Sequence, residues 1–176
     1  MTFKEYGGLD LVAAADEVLN KWKGIDAFGK SLRLRDGAPE FIFFEGPPSA
    51  NGMPGIHHVM ARSIKDAVCR YKTQSGFKVR RRAGWDTHGL PVELGVEKKL
   101  GITKDDIGKK ISVEEYNRTC RAEVMKYTAE WRTLTERIGY WVDMDDPYVT
   151  YDNRYIETLW WLLKDIYGKG LLYKGK

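Results

Sequence analysis

Phe41-Ile42-Phe43-Phe44-Glu45-Gly46-Pro47-Pro48-Ser49-Ala50-Asn51-Gly52-Met53-Pro54-Gly55-Ile56-His57-His58 is the stretch on which the fold of this chain turns. An apolar run of strand length breaks into a loop rich in glycine and proline. The loop opens on two adjacent histidines at the head of an amphipathic segment. A buried strand that turns through glycines into a helix N-terminus presents backbone N–H groups where a phosphate can sit. Imidazoles at the same place add donors that strengthen as phosphate charge moves in a transition state. The pattern predicts a nucleotide site. Its local form alone leaves open a surface loop whose histidines face solvent.

Downstream, Met60, Ile64, Val68 and Tyr71 recur at helical spacing and predict a helix over about residues 57–73. Gly76 ends it, and Phe77-Lys78-Val79 begins a second strand. Strand, helix and strand in this order form a βαβ unit with parallel strands and a right-handed crossover. The run Phe41–Phe44 suits a strand covered on both faces. The loop Gly84-Trp85-Asp86-Thr87-His88-Gly89-Leu90-Pro91 follows the second strand, at the carboxyl end where open α/β sheets place their ligands. Asp86 can pair there with an ammonium group. A loop or helix-cap hydrogen bond is the bland alternative for it.

Upstream, Leu9, Val12, Ala13, Val18, Leu19 and Trp22 share a face and predict a helix over about residues 9–23. Ser31–Glu40 reads as a solvated connector. Residues 1–38 are expected to form an N-terminal helical extension packed on a main domain of residues 39–176. Further along, Pro91 starts a second helix that ends before Gly101. Ser112-Val113-Glu114-Glu115 is a capping box and announces one long helix through Arg137. Tyr140–Tyr151 reads as an acidic, aromatic connector, with Asp143, Asp145 and Asp146 in a turn between helices and not in a metal site. A last helix covers about residues 153–167, its Trp160-Trp161 pair expected in the core. Leu171-Leu172-Tyr173 begins what resembles a strand. Two clear strands make an incomplete sheet, so the expectation is part of a longer protein.

A chain of 176 residues, 43% apolar and 12% aromatic, has the material for a folded core and is not a disordered segment. The net charge of +4 permits a nucleic-acid partner without requiring one. Lys78, Arg80, Arg81 and Arg82, with Arg70 and Lys72 nearby, read as solvated strand and helix ends ahead of a nucleic-acid surface. Cys69 and Cys120 lie far apart in sequence without metal-site spacing, and are expected as small apolar groups on helices. The N-terminus has no signal-peptide pattern and no run is long enough to span a bilayer, which points to a cytoplasmic protein with no membrane partner.

Residues 43–52 and 84–93 together resemble the isoleucyl-tRNA synthetases, a branch of the class I aminoacyl-tRNA synthetases. The likeness extends through Asp143–Tyr151 and Tyr155–Lys174. Trp85-Asp86-Thr87-His88-Gly89 separates this branch from valyl enzymes, which typically carry Thr-Asp-His-Ala-Gly, and from leucyl enzymes, which carry Trp-Asp-Ala-Phe-Gly. The resemblance implies an α/β, Rossmann-like catalytic domain, present here as its first half with an incomplete parallel sheet. It implies activation of L-isoleucine with ATP and Mg²⁺ and transfer to tRNA(Ile). By position, Pro47 would line the amino-acid side chain, Asp86 would receive the α-ammonium, and Asn51 would help to orient substrate.

The same resemblance puts Gly55, Ile56, His57, His58 and Asn51 around ATP, with His57 and His58 as the catalytic donors and no metal-ligating residue. The ATP motif departs from the usual His-x-Gly-His, because Gly55-Ile56-His57-His58 exchanges its first and third residues. Both imidazoles and one glycine survive, so the exchange reads as a working variant with altered affinity for ligands of the adenosine pocket, with loss of function as the alternative. The family's second, lysine-rich ATP motif and its editing module are not visible. The remainder of a synthetase chain is therefore an expected partner, and the 176 residues alone are expected not to form adenylate. The alternatives are a valyl- or leucyl-type synthetase and a stand-alone nucleotide- or RNA-binding module.

Overall fold

In the computed structural model, which describes Glu5 and residues 7–175, the chain opens on α1 (Leu11–Gly24). Asp10 starts it by accepting from the N–H groups of Val12 and Ala13 at 3.1 and 3.0 Å. A second helix, α2 (Ala27–Arg33), follows inside what the sequence reads partly as connector. Gly29 disguises it, since glycine lowers helix propensity. The exposed Asp26 carboxylate, paired with Arg33 at 2.8 Å, lies over position 29 as the end of a flexible side chain.

β1 (Glu40–Phe44), α3 (Ile56–Gln74) and β2 (Lys78–Trp85) realise the expected βαβ unit. Next come α4 (Leu90–Leu100), closed by Gly101 at φ +64°, and a single 3₁₀ turn at Lys104–Asp106. α5 (Val113–Val124) begins where Ser112 Oγ accepts from the Glu115 N–H at 3.1 Å. The long helix expected from there to Arg137 is in fact two, because α6 (Thr128–Arg137) starts afresh. The Tyr127 N–H leaves the helical ladder for the carbonyl of Ala50, 3.0 Å away. A tertiary acceptor interrupts an otherwise continuous helical pattern.

β3 (Asp143–Val149) replaces the expected connector, and α7 (Asn153–Gly168) follows, capped by Asp152 accepting from the Arg154 N–H at 2.9 Å. Among the described residues no strand forms at Leu171–Tyr173. The strand order is β1-β2-β3. β2 and β3 pair in parallel through Arg82 with Asp143, Gly84 with Tyr148 and Trp85 with Val149, with an irregularity between the first two pairs. There Asp143 Oδ1 accepts from the N–H groups of Asp145 and Asp146 at 2.9 and 3.2 Å. The predicted aspartate turn exists, but inside a strand. Pro147 cannot donate to a ladder and is tolerated because β3 lies at an edge.

At the other edge, Lys78 donates to the carbonyl of Pro39 and Glu45 to that of Arg82, each at 2.9 Å, so β1 also runs parallel to β2. Ile42 and Phe44 are exposed, which corrects the expectation of a strand covered on both faces. The Trp160-Trp161 expectation fails as well. The two residues are 68% and 65% exposed, and α7 has no buried residue, since the described elements leave most of its apolar surface uncovered. In the basic run, Lys78 pairs with Asp36 (2.5 Å), Arg80 with Glu40 (3.0 Å) and Arg82 with Asp146 (2.9 Å), while Arg81 is buried. Cys69 is buried on α3 and Cys120 half-buried on α5, neither in a disulfide. Among the described residues no helix is long and apolar enough to cross a membrane.

The residues fall into two compact units. One comprises the described residues through Phe43, His57–Arg80 and Leu134–Trp141. Trp141 packs there edge-on to Trp22 at 5.0 Å and beside Phe28 at 6.0 Å, with the Arg70 guanidinium 4.0 Å over its ring. The other unit holds Phe44–Ile56, Arg81–Thr133 and the residues from Val142 onward. Ala50, Trp85 and Trp131 are buried together at its centre, with Met125, Tyr127, Met144 and Val149 packed against them. Trp131 is 1% exposed. Withdrawing a side chain of that size from water is worth roughly 4–6 kcal/mol before entropy is counted.

Candidate functional site

Two loops leave the carboxyl ends of β1 and β2 within the second unit, and the backbone joins them directly. The Asp86 N–H donates to the carbonyl of Pro48 at 3.0 Å. Pro47 and Pro48 are half-buried, and Asn51 lies in the same loop. The rest of that loop is fastened from the turn between α5 and α6 and from α6 itself. Its Ala50 carbonyl receives the Tyr127 N–H at 3.0 Å, and its Gly52 carbonyl receives Trp131 Nε1–H at 2.9 Å. A proline-rich segment with few donors of its own is thus held by donors from elsewhere.

The Asp86 loop is fastened from β3. Thr150 donates its N–H to the carbonyl of Trp85 at 3.1 Å, extending the strand ladder by one residue. The Thr150 hydroxyl meets the N–H and hydroxyl of Thr87 at 2.9 and 2.8 Å, and His88 Nδ1 at 2.9 Å. The half-buried Asp86 carboxylate itself takes no hydrogen bond or ion pair from the described residues. A carboxylate held by its neighbours and left without an internal cation is open to a cationic ligand.

Tyr148 ties β3 to the other loop. Its hydroxyl donates to the carbonyl of Glu45, and its ring lies against Gly84, where any Cβ would collide with it. Burial, then the neighbouring Tyr155 and the carboxylates of Glu45 and Asp86, push the Tyr148 hydroxyl above its ordinary pKa, so it stays a donor at neutral pH. A cavity of about 270 Å³ opens beside the Asp86 loop, lined by His88, Glu93, Tyr116, Asn117, Cys120 and Arg121 among others. Burial raises the Tyr116 hydroxyl to about 12, and burial likewise raises the Cys120 thiol despite its hydrogen bond with Tyr116.

Gly55 and Ile56 belong to this second unit, whereas His57 and His58 belong with α3 to the first. The histidines occupy the first turn of α3, His57 exposed and His58 half-buried, their ring centroids 3.8 Å apart. Sequence reasoning passed over Tyr148 and Thr150, which hold the loops, because the aspartates and Pro147 before them mask β3 as a connector. The hydrophobic signal that could have found the strand is short: Tyr148-Val149-Thr150-Tyr151 alone has strand composition.

A parallel sheet with a crossover helix, and glycine-bearing loops joined at the carboxyl ends of adjacent strands, define a Rossmann-like ligand-binding domain. The model of the tRNA synthetases class I (I, L, M and V) matches residues 17–176, and the chain belongs to that family. It is 70% identical over 173 residues, 98% of its length, to an isoleucine–tRNA ligase of Porphyromonas gingivalis, and 69% identical over the same span to one of Bacteroides fragilis. The chain spans about 15% of the length of these curated relatives. Among solved structures it resembles the LeuRS of Agrobacterium radiobacter, determined in a ternary complex with tRNA and LeuAMS. That likeness has a TM-score of 0.57 at 19% identity, covers 90% of this chain and 18% of the other, and bears on the fold.

Proposed function

We propose that this chain is the N-terminal portion of an isoleucine–tRNA ligase, which as a whole activates L-isoleucine with ATP in the cytoplasm and transfers it to tRNA(Ile). The observation that carries the reading is the Asp86–Pro48 hydrogen bond, which makes the two motif-bearing loops one structure. The names of the 70% and 69% identical relatives support the amino acid, as does the Trp85-Asp86-Thr87-His88 sequence.

In this reading the Asp86 carboxylate receives the α-ammonium of isoleucine, and Pro47 walls the side chain. His57 and His58, with the N–H groups of the first turn of α3, donate to phosphate oxygens, while Asn51, Gly55 and Ile56 complete the ATP side. Mg²⁺ would enter as the complex of ATP and be held by its phosphates. The substrate carboxylate attacks the α-phosphate and pyrophosphate leaves. Alignment and fixed donors are the protein's contribution to such chemistry.

The test is isoleucine-dependent ATP–pyrophosphate exchange by the full-length enzyme. Asp86→Asn removes a charged hydrogen bond, and should raise KM for isoleucine about 10- to 100-fold while leaving KM for ATP in place. An unchanged KM for isoleucine overturns the assignment. The 176 residues alone should show no exchange.

A further inference from the structure

We infer that Thr150 is a positioning residue for the Asp86 carboxylate, acting through Thr87. The inference rests on the reading of Asp86 as the receiver of the substrate ammonium. Three hydrogen bonds converge on the Thr150 hydroxyl: from the Thr87 N–H at 2.9 Å, with the Thr87 hydroxyl at 2.8 Å, and with His88 Nδ1 at 2.9 Å. A hydroxyl has one donor and two acceptor sites. All are filled when Thr150 accepts the N–H and O–H of Thr87 and donates to an unprotonated His88 Nδ1. Thr87 Oγ1 in turn accepts from the Tyr151 N–H at 2.9 Å, so neither hydroxyl keeps an idle proton.

The two threonines are enclosed, with Thr150 5% and Thr87 7% exposed, while His88 is exposed. Water cannot readily replace a missing partner there. The consequence for Asp86 follows from what surrounds it in sequence. The carbonyl of Trp85 is held by the Thr150 N–H, the Asp86 N–H by Pro48, and the N–H and hydroxyl of Thr87 by Thr150 and Tyr151. Both neighbours of Asp86 are tied to the same residue. Its backbone dihedrals, and with them the direction in which the carboxylate leaves the chain, are therefore set from the end of β3. Thr150 touches no substrate in this arrangement. It removes the freedom that would let the carboxylate swing away from the ammonium.

Thr150→Val keeps the volume and branching while deleting the hydroxyl, and Thr150→Ser keeps the hydroxyl. In the full-length enzyme, isoleucine-dependent ATP–pyrophosphate exchange should show KM for isoleucine raised about tenfold in Thr150→Val with KM for ATP unchanged. Thr150→Ser should return KM for isoleucine to within about twofold of the parent. A Thr150→Val enzyme with parental KM values overturns the inference. So does a Ser variant as impaired as the Val variant, which would assign the effect to packing, or a parallel rise in both KM values. Should Thr150→Val fail to fold, Thr87→Val deletes the partner hydroxyl and carries the same expectation and the same overturning results. Asp86→Asn is measured alongside. If it leaves KM for isoleucine unchanged, the reading of Asp86 fails; if it raises KM and Thr150→Val does not, the inference about Thr150 alone fails.

Discussion

α7 carries far more aromatic and aliphatic residues than α6, yet it is the tryptophan of α6 that is buried. Trp131 of α6 is 1% exposed, packed with Ala50 and Trp85 and bonded through its indole N–H to the carbonyl of Gly52. Trp160 and Trp161 of α7 are 68% and 65% exposed, in a helix with no buried residue. The amino acids do not explain the difference. Trp131 meets a loop whose carbonyls need donors and whose Ala50 leaves room for a ring. α7 meets nothing comparable among the described residues. Hydrophobic content states a demand for cover, and only a partner surface turns that demand into burial.

Truncating the two helices should therefore give unequal results. Trp131→Ala removes the largest fully buried side chain of the second unit and the donor to Gly52. It should destabilise the chain by about 3–5 kcal/mol, measured as a fall in the urea midpoint followed by circular dichroism. Trp160→Ala, a tryptophan truncation of equal size, serves as the control. Equal losses from the two substitutions would break the contrast between the helices.

The βαβ unit was legible because its signals are local. Phe41–Phe44 is a bare apolar run, Met60, Ile64, Val68 and Tyr71 mark one helical face, and glycines stand at the joints. Asp86 and Pro47 were legible as candidate site residues for a related reason, since short motifs sit at strand ends. What escaped depends on distant partners. The break between α5 and α6 is made by the carbonyl of Ala50, which lies far away in sequence from Tyr127. β3 hides three aspartates and a proline in an edge strand, and its pairing with β2 resumes only at Tyr148 after the Asp143 turn. α2 hides behind Gly29, a residue that lowers helix propensity. The exposed tryptophans of α7 show the reverse error, a local apolar signal with no partner to satisfy it.

The packed side of the comparison can be sharpened where β2 meets β3. A Cβ at Gly84 would run into the Tyr148 ring. That ring stacks on Tyr155 at 5.9 Å and 8°, lies edge-on to Phe44 at 6.0 Å, and holds the carbonyl of Glu45 through its hydroxyl. It cannot step aside without giving up those contacts. Gly84→Ala should destabilise by about 1–3 kcal/mol through overpacking. In a double-mutant cycle with Tyr148→Leu, the second substitution should recover part of the loss, because the two residues compete for one volume. Additive losses would show that position 84 is not limited by the ring.

The smallest effect is expected on the exposed side. Trp160→Gln combined with Trp161→Gln removes two large apolar side chains, which in a core would cost several kcal/mol. On α7 the pair should shift the urea midpoint by an amount equivalent to about 0.5 kcal/mol or less, since surface substitutions that break no cap or buried contact rarely do more. The cap at Asp152 and the backbone ladder of α7 do not involve either ring. Iodide quenching gives an independent measure, because an anion reaches only solvent-exposed indoles. The parent chain should lose a large fraction of its tryptophan emission to iodide, and the double variant should retain most of what remains, dominated by buried residues such as Trp85 and Trp131. If the parent resists quenching, or the double variant unfolds at markedly lower urea, α7 is covered after all and its tryptophans belong to a core.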